Sequence, residues 1–232
     1  RPHIQRIFLA DGDALIYPQK GLLEILDELG RAFPRLTRIG AYASPVSLAG
    51  KTGEELAALR ERKLRILYFG LESGDETTLR AIDKGYTGTE MLAFCQKAQG
   101  AGMKLSVTAI LGLAGTKRSR EHARATAAWI TALSPEYFSL LTLFHRHNDD
   151  FLRGITPLSR GGILEEAREL LLHLAPRRTI LRSNHVSNFL QLAGSYPKDR
   201  QVLIDQVEAA IARARRRPEW YDEIPDYRED IY

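Results

Sequence analysis

LRILYFGLESGDETTLRAIDKGYT, residues 64–87, opens as an apolar strand and turns at once into a helical pattern. Its β-rich run, Arg65–Leu71, delivers an acid, Glu72, a hydroxyl, Ser73, and a glycine, Gly74, and the amphipathic stretch Asp75–Asp83 follows directly. A strand that feeds a helix through a short polar turn is a βα unit. Its repetition gives parallel strands joined by right-handed crossovers.

The repetition is present on both sides. Further β-rich runs stand at Arg6–Ala10, Arg38–Ala43, Lys104–Leu111, Tyr137–Leu143 and Thr179–Ser183. Amphipathic helical patterns lie at Lys20–Phe33, Gly53–Lys63, Thr89–Ala101, Arg120–Leu133 and Leu164–Leu174. Successive strand starts are 27–42 residues apart, the spacing of βα units, eight of which fill a barrel of roughly 250 residues. Thr52 with Glu55, Ser73 with Glu76 and Thr87 with Glu90 fit the capping box, in which hydroxyl and carboxylate satisfy free helix N–H groups. Gly102 is a natural helix stop before the strand at Lys104. After Leu143 the pattern loosens into the polar segment 144–162, then ends in a helical stretch, Lys198–Arg216, and an aromatic, acidic tail. No Ser/Gly-rich linker divides the chain. Residues 1–143 therefore read as the core of an α/β fold, and 144–232 as an α/β extension of the same domain.

A length of 232 residues suits one large domain or two small ones, and 44% hydrophobic with 27% charged residues excludes disordered and fibrous classes. The net charge of +4 does not by itself argue for nucleic acid. Arg213, Arg215, Arg216 and Arg217 close a helical pattern, where cations favour the C-terminus, so a solvated helix end outweighs a phosphate-binding patch. The one cysteine, Cys95, excludes a disulfide framework and a Cys-rich metal site, and beside Leu92 and Phe94 it reads as a small buried hydrophobe. The longest apolar stretch, Val107–Gly115, is far short of the roughly 20 residues of a membrane helix. No membrane partner is expected, and with no signal peptide in view the expected compartment is the cytoplasm.

Ligands of parallel α/β folds bind where strands end and βα loops begin. Those ends carry Asp11, Gly12 and Asp13; Tyr42 and Ser44; Glu72 and Ser73; Ile110, Gly112 and Gly115; then Thr142, followed by His145 and His147. Such a rim suits a ligand with an amine, a ribose and a purine. Each residue also has a plainer use. Asp11–Asp13 forms a turn as readily, Ser73 a helix cap, and Gly112 with Gly115 a tight strand-to-helix connection. Glu72, directly after an apolar run, requires a cationic or donor partner. His145, His147 and Asp149 alternate onto one face of an extended segment, as in a metal site, yet a polar loop with two histidines is more often solvated. The expectation is no metal ligand in this chain. Asn184, His185 and Asn188, after the last strand, are candidates for substrate contact alongside Thr142 and His145, or for a structural hydrogen-bonded role.

In this order, YFGLESGDETTLRAIDKGYT and ILGLAGT (Ile110–Thr116) resemble the radical S-adenosylmethionine (radical SAM) superfamily. The closest branch includes coproporphyrinogen oxidase-like, elongator-type and methylthiotransferase-type proteins. FLADGDAL (Phe8–Leu15) looks like that branch's motif after the second strand, and RSNHVSNFL with GSYPKD looks like the tail of a bacterial subgroup. The resemblance implies a partial (β/α)6 TIM-like barrel. It implies that Asp11, Gly12 and Asp13 meet the methionine amine of SAM, that Glu72 and Ser73 lie near its ribose and carboxylate, and that Ile110–Gly115 packs against adenine. Asp13 stands where the family often has Glu, Ala114 where it often has Pro, and Lys117 where an acid often follows.

The family holds a [4Fe–4S] cluster on a CxxxCxxC triad after its first strand, and no such triad is present here. Because the chain starts at Arg1 and is already strand-like by Arg6, the expectation is a fragment whose first strand and cluster cysteines lie upstream. The parent is then expected to cleave SAM reductively for radical chemistry on an unknown substrate, with an electron donor as partner. The fragment is expected to be inactive and to self-associate through the edge strand Arg6–Ala10. The alternatives are a cluster-less SAM- or nucleotide-binding regulatory module, and a barrel enzyme holding phosphate on a Gly112–Arg118 loop with Lys117 and Arg118.

Overall fold

The structure, a computed structural model, describes residues 3–145 and 149–225. Its strands are β1 (Arg6–Leu9), β2 (Arg38–Ala43), β3 (Leu64–Glu72), β4 (Lys104–Leu111), β5 (Tyr137–Thr142), β6 (Thr179–Arg182) and β7 (Ala193–Tyr196), in sequence order in one sheet. The helices are α1 (Gln19–Ala32), α2 (Pro45–Gly50), α3 (Gly53–Glu61), α4 (Glu76–Ala81), α5 (Gly88–Gly100), α6 (Gly115–Leu133), α7 (Asp149–Leu152), α8 (Arg160–His173), α9 (Arg200–Ala214) and α10 (Pro218–Asp222). All six expected strands are present, each end within one residue of its expected place. This is the strand–helix succession of a TIM-like partial barrel.

Two compact units make up the chain. The first comprises the described residues up to Gly70 together with Thr89–Val107. In it β1, β2 and β3 run parallel, with Phe8 opposite Gly40 and Tyr42 opposite Tyr68. Along β2, Ile39, Ala41 and Ala43 are buried while Tyr42 is 47% exposed, the alternation a pleated strand imposes. The Phe8, Tyr42 and Tyr68 rings meet edge to face on one side of these strands. Cys95 is wholly buried, as its apolar neighbours imply.

The second unit comprises Leu71–Gly88 and the described residues from Thr108 onward. Here β5 and β6 are parallel, β7 is antiparallel to β6, and α8 packs between α6 and α9. The sequence pattern does not show β7, because Ala193–Tyr196 has no apolar alternation and pairs along only four residues. It also misses α2, whose Pro45 starts a helix that the Ser44 side chain caps. α6 begins at Gly115, not Arg120, and α8 at Arg160, not Leu164, since their first turns are polar.

The Thr52–Glu55 capping box forms as expected. The Ser73–Glu76 box does not: the cap of α4 is Asp75, whose carboxylate accepts the Thr78 N–H, while Ser73 is buried and turned inward. That inward turn needs room at Gly74, where a Cβ would lie 2.4 Å from the Ala125 carbonyl oxygen and 2.7 Å from Thr126 Cα. Both are backbone atoms of α6 and cannot swing aside. Gly74→Ala is therefore expected to destabilise the chain by about 3 kcal/mol in chemical denaturation, the upper part of the usual overpacking range. An unchanged midpoint would show that α6 can shift away.

Candidate functional site

In the first unit the chain leaves β1 through two left-handed residues, Asp11 (φ 66°) and Gly12 (φ 76°), both exposed. They turn Asp13 so that its Oδ2 accepts the Ser44 N–H at 3.1 Å. Its Oδ1 is buried and has no partner among the described residues. A carboxylate oxygen removed from water in this way requires a donor to offset desolvation. The Ser44 hydroxyl is used locally, accepting the Ser47 N–H in the cap of α2.

In the second unit Glu72 ends β3 with φ 64°, a left-handed conformation that a non-glycine residue adopts at a cost. Its carboxylate meets the Lys84 ammonium at 3.2 Å, the cationic partner that burial after an apolar run demands. Ser73 is 0% exposed: its Oγ lies 2.7 Å from His122 Nδ1 and accepts the Asp75 N–H at 2.9 Å. Its hydroxyl is thus committed inward. Ile110 is half-buried at the end of β4, and Gly112 (φ 83°) and Gly115 (φ 61°) make the tight connection into α6.

Three amides of that connection and the helix start after it are already used. Gly112 N–H donates to Glu166 Oε1 at 2.6 Å, Gly115 N–H to the Gly112 carbonyl, and Thr116 N–H to the Thr156 carbonyl. Lys117 and Arg118 lie in the first turn of α6, and Arg118 grips Asp75 with two N–H groups. Against the alternative of a Gly112–Arg118 phosphate loop, the segment is helical from Gly115 and these three N–H donors are spent on protein acceptors.

Three of the substrate candidates share one network. Thr142 N–H donates to Ser187 Oγ, which lies 2.8 Å from His185 Nδ1; Thr142 Oγ1 donates to Asn188 Oδ1, and Asn188 Nδ2 to the Leu140 carbonyl. The network ties the β6–β7 loop to β5. Asn184 is exposed and His145 half-buried. His147 lies outside the described residues, and among those described no group of three metal-ligating side chains converges. Arg215, expected at a solvated helix end, donates to Glu165 at 2.6 Å.

Sequence reasoning missed His122 and Glu166, both buried. The signal was present for Glu166, which stands at helical spacing among Ile163, Ala167 and Leu170, all core positions of α8.

Repeated parallel βα units, with acids and tight glycine turns at the strand ends, define an α/β protein of TIM-like partial-barrel type. The model of the Radical SAM superfamily matches residues 1–129, more than half of the chain, and the chain belongs to that superfamily. Family members use SAM and a [4Fe–4S] cluster. The heme chaperone HemW of Bacillus subtilis (strain 168) is 22% identical over 145 residues, 62% of this chain and 38% of that protein. Coproporphyrinogen III oxidase (HemN) from Escherichia coli, a radical SAM enzyme, is similar over 73% of this chain and 40% of its own, at 17% identity and a TM-score of 0.59. The archaeal Elp3 of Methanocaldococcus infernus, N-terminally deleted, covers 90% of this chain and 54% of its own, at 12% identity and a TM-score of 0.63. The chain thus spans about two fifths to half of the length of these relatives, and the two structural likenesses are of fold.

The residues present fit SAM and not the cluster. The unpartnered, buried Asp13 Oδ1 suits an α-ammonium group. The cluster requires thiolates, whereas the one cysteine of the chain is buried and desolvation pushes its thiol well above the usual range. Among the described residues no helix is long and apolar enough to cross a membrane.

Asp75 supplies a test of the local electrostatics. Burial raises its pKa, but the Arg118 guanidinium and the Thr78 hydroxyl and N–H outweigh that and bring it from 3.8 to about 2. A pKa depressed on folding contributes stability above pH 4 that is lost as the pH falls towards 2. Asp75→Asn keeps a good cap but loses the charge pair. It is expected to cost on the order of 1 kcal/mol at pH 7, modest because Arg118 is partly exposed. The difference should shrink as the pH falls from 4 and vanish only below pH 2 in acid-titrated denaturation curves; a pH-independent difference would show that the charge pair contributes nothing.

Proposed function

We propose that this chain is the SAM-binding portion of a radical SAM protein and that it supplies no thiolate ligand to the cluster. The observation that carries this reading is the Asp13 carboxylate, oriented through Oδ2 by the Ser44 N–H and left with a buried, unmet Oδ1. A charge-assisted bond from the methionine ammonium of SAM would satisfy that oxygen. Beside it a Cβ placed on Gly12 would meet nothing within 4 Å, which leaves room for a ligand against the backbone. Taken by itself, the second unit carries Glu72 and the Gly112–Gly115 connection at its strand ends, proposed to suit the ribose and adenine of a nucleoside. They contribute hydrogen-bond acceptors and apolar packing.

The cluster, when bound to a complete protein of this family, supplies the electron for reductive cleavage of SAM. No step through it is assigned to residues of this chain. The substrate is proposed to lie on the same strand-end side, the electron donor to be a separate protein, and the setting to be the cytoplasm, whose reducing poise suits a lone thiol. Self-association through β1, which pairs with β2 on one side and carries the 41% exposed Phe8, belongs to the same proposal.

Isothermal titration of the chain with SAM tests the reading. Saturable one-to-one binding is expected, and Asp13→Asn is expected to weaken it about tenfold, equivalent to about 1.4 kcal/mol. Anaerobic reconstitution followed by iron and sulfide analysis is expected to leave no stoichiometric cluster on the chain. Absence of SAM binding, or a full cluster on this chain, would overturn the reading.

A further inference from the structure

The second unit buries a polar chain that the proposed ligand contacts do not use. It begins at Ser73, immediately after Glu72, whose Oγ takes the Asp75 N–H and shares a hydrogen with His122 Nδ1 at 2.7 Å. His122, on α6, faces Glu166 of α8 across 3.8 Å between Nε2 and Oε1. Glu166 Oε1 then takes the Gly112 N–H at 2.6 Å. Ser73 and His122 are 0% exposed and Glu166 is 2% exposed. His122 Nε2 and Glu166 Oε2 have no hydrogen-bond partner among the described residues.

Burial on this scale is expensive. Three polar side chains have left water, and at two of their atoms no hydrogen bond offsets that loss. Apolar residues of similar volume would pack α6 against α8 at least as well. What apolar residues could not do is hold the two ends of this chain. One end fixes the turn just after β3, where Glu72 is kept left-handed. The other fixes Gly112, the left-handed start of the connection after β4. Neither turn is regular secondary structure, so neither has a helical or strand ladder to set its geometry.

We infer that His122 and Glu166 are positioning residues: through Ser73 and the Gly112 N–H they hold the β3–α4 turn and the β4–α6 connection in one fixed relation for ligand binding. The inference rests on the proposed function only for the identity of the ligand, SAM. The mechanical coupling stands on the contacts alone. Burial pushes the Glu166 carboxyl up, and His122, Ser119 and the Gly112 N–H pull the other way. With or without its proton, Oε1 accepts from Gly112, so Glu166→Gln preserves the link and Glu166→Leu removes it.

Amide hydrogen exchange and SAM titration on the folded chain, wild type and variants, decide the matter. In Glu166→Leu, exchange is expected to speed up at Gly112 and also at Asp75, which Glu166 does not touch. The SAM dissociation constant is expected to rise about tenfold or more, the usual scale for losing such a supporting contact. Glu166→Gln is expected to match wild type in both. Ser73→Ala, a smaller lesion at the other end, is expected to speed exchange at Gly112, and it serves if Glu166→Leu does not fold. Unchanged exchange at the far end in both lesions would overturn the coupling. Unchanged SAM affinity in a folded variant with faster exchange would overturn the positioning role. A wild-type chain that binds no SAM would strike down the proposed function, and the exchange measurements would then decide the coupling alone.

Discussion

Glu166 takes up the Gly112 N–H from the middle of an otherwise apolar helix face, and the organisation of the second unit follows from that bond. A parallel strand that must turn sharply into a helix leaves backbone amides without ladder partners. Buried amides left unpaired cost about as much as a lost hydrogen bond. Gly112 is buried, and so are Leu111 and Leu113 on either side, so water cannot serve. A side chain from a distant element has to reach in. Glu166 does so, and His122 and Ser73 extend the same arrangement to the end of β3.

The first unit solves the corresponding problem at β1 differently. Asp13 uses one oxygen to receive the Ser44 N–H, which aligns the end of β1 with the start of α2. The other oxygen is left buried and unmet. Ser73 and Asp13 were both candidates for ligand contact by their place in the sequence, and the structure gives them opposite characters. The serine is satisfied and sealed. The aspartate is oriented and incomplete. An acceptor that is held in place yet lacks its donor is what a site for a cationic ligand requires, and a fully paired one is what a scaffold requires.

Much of the architecture was legible beforehand. Period-two alternation along Arg38–Ala43 and the apolar run of Arg65–Leu71 specify strands locally, and the helices between them carry their own stripes and caps. Short-range signals of that kind survive folding because they are side-chain preferences of the residues themselves. The misses are of one sort. β7 exists only because β6 offers it a ladder. α2 rests on a single proline and a serine cap, and the long polar first turn of α6 hides its start.

For the site, the sequence by itself determined which residues stand at strand ends: Asp13, Ser44, Glu72, Gly112 and Gly115 follow from strand placement alone. Only the tertiary structure decided what each polar atom does. Lys84 reaches Glu72 across 12 positions, His122 reaches Ser73 across 49, and Glu166 reaches Gly112 across 54. Hydrogen bonding is directional and short-ranged, so whether a carboxylate or hydroxyl is spent or unspent depends on which distant helix is packed within about 3 Å of it, and no local pattern in the chain encodes that.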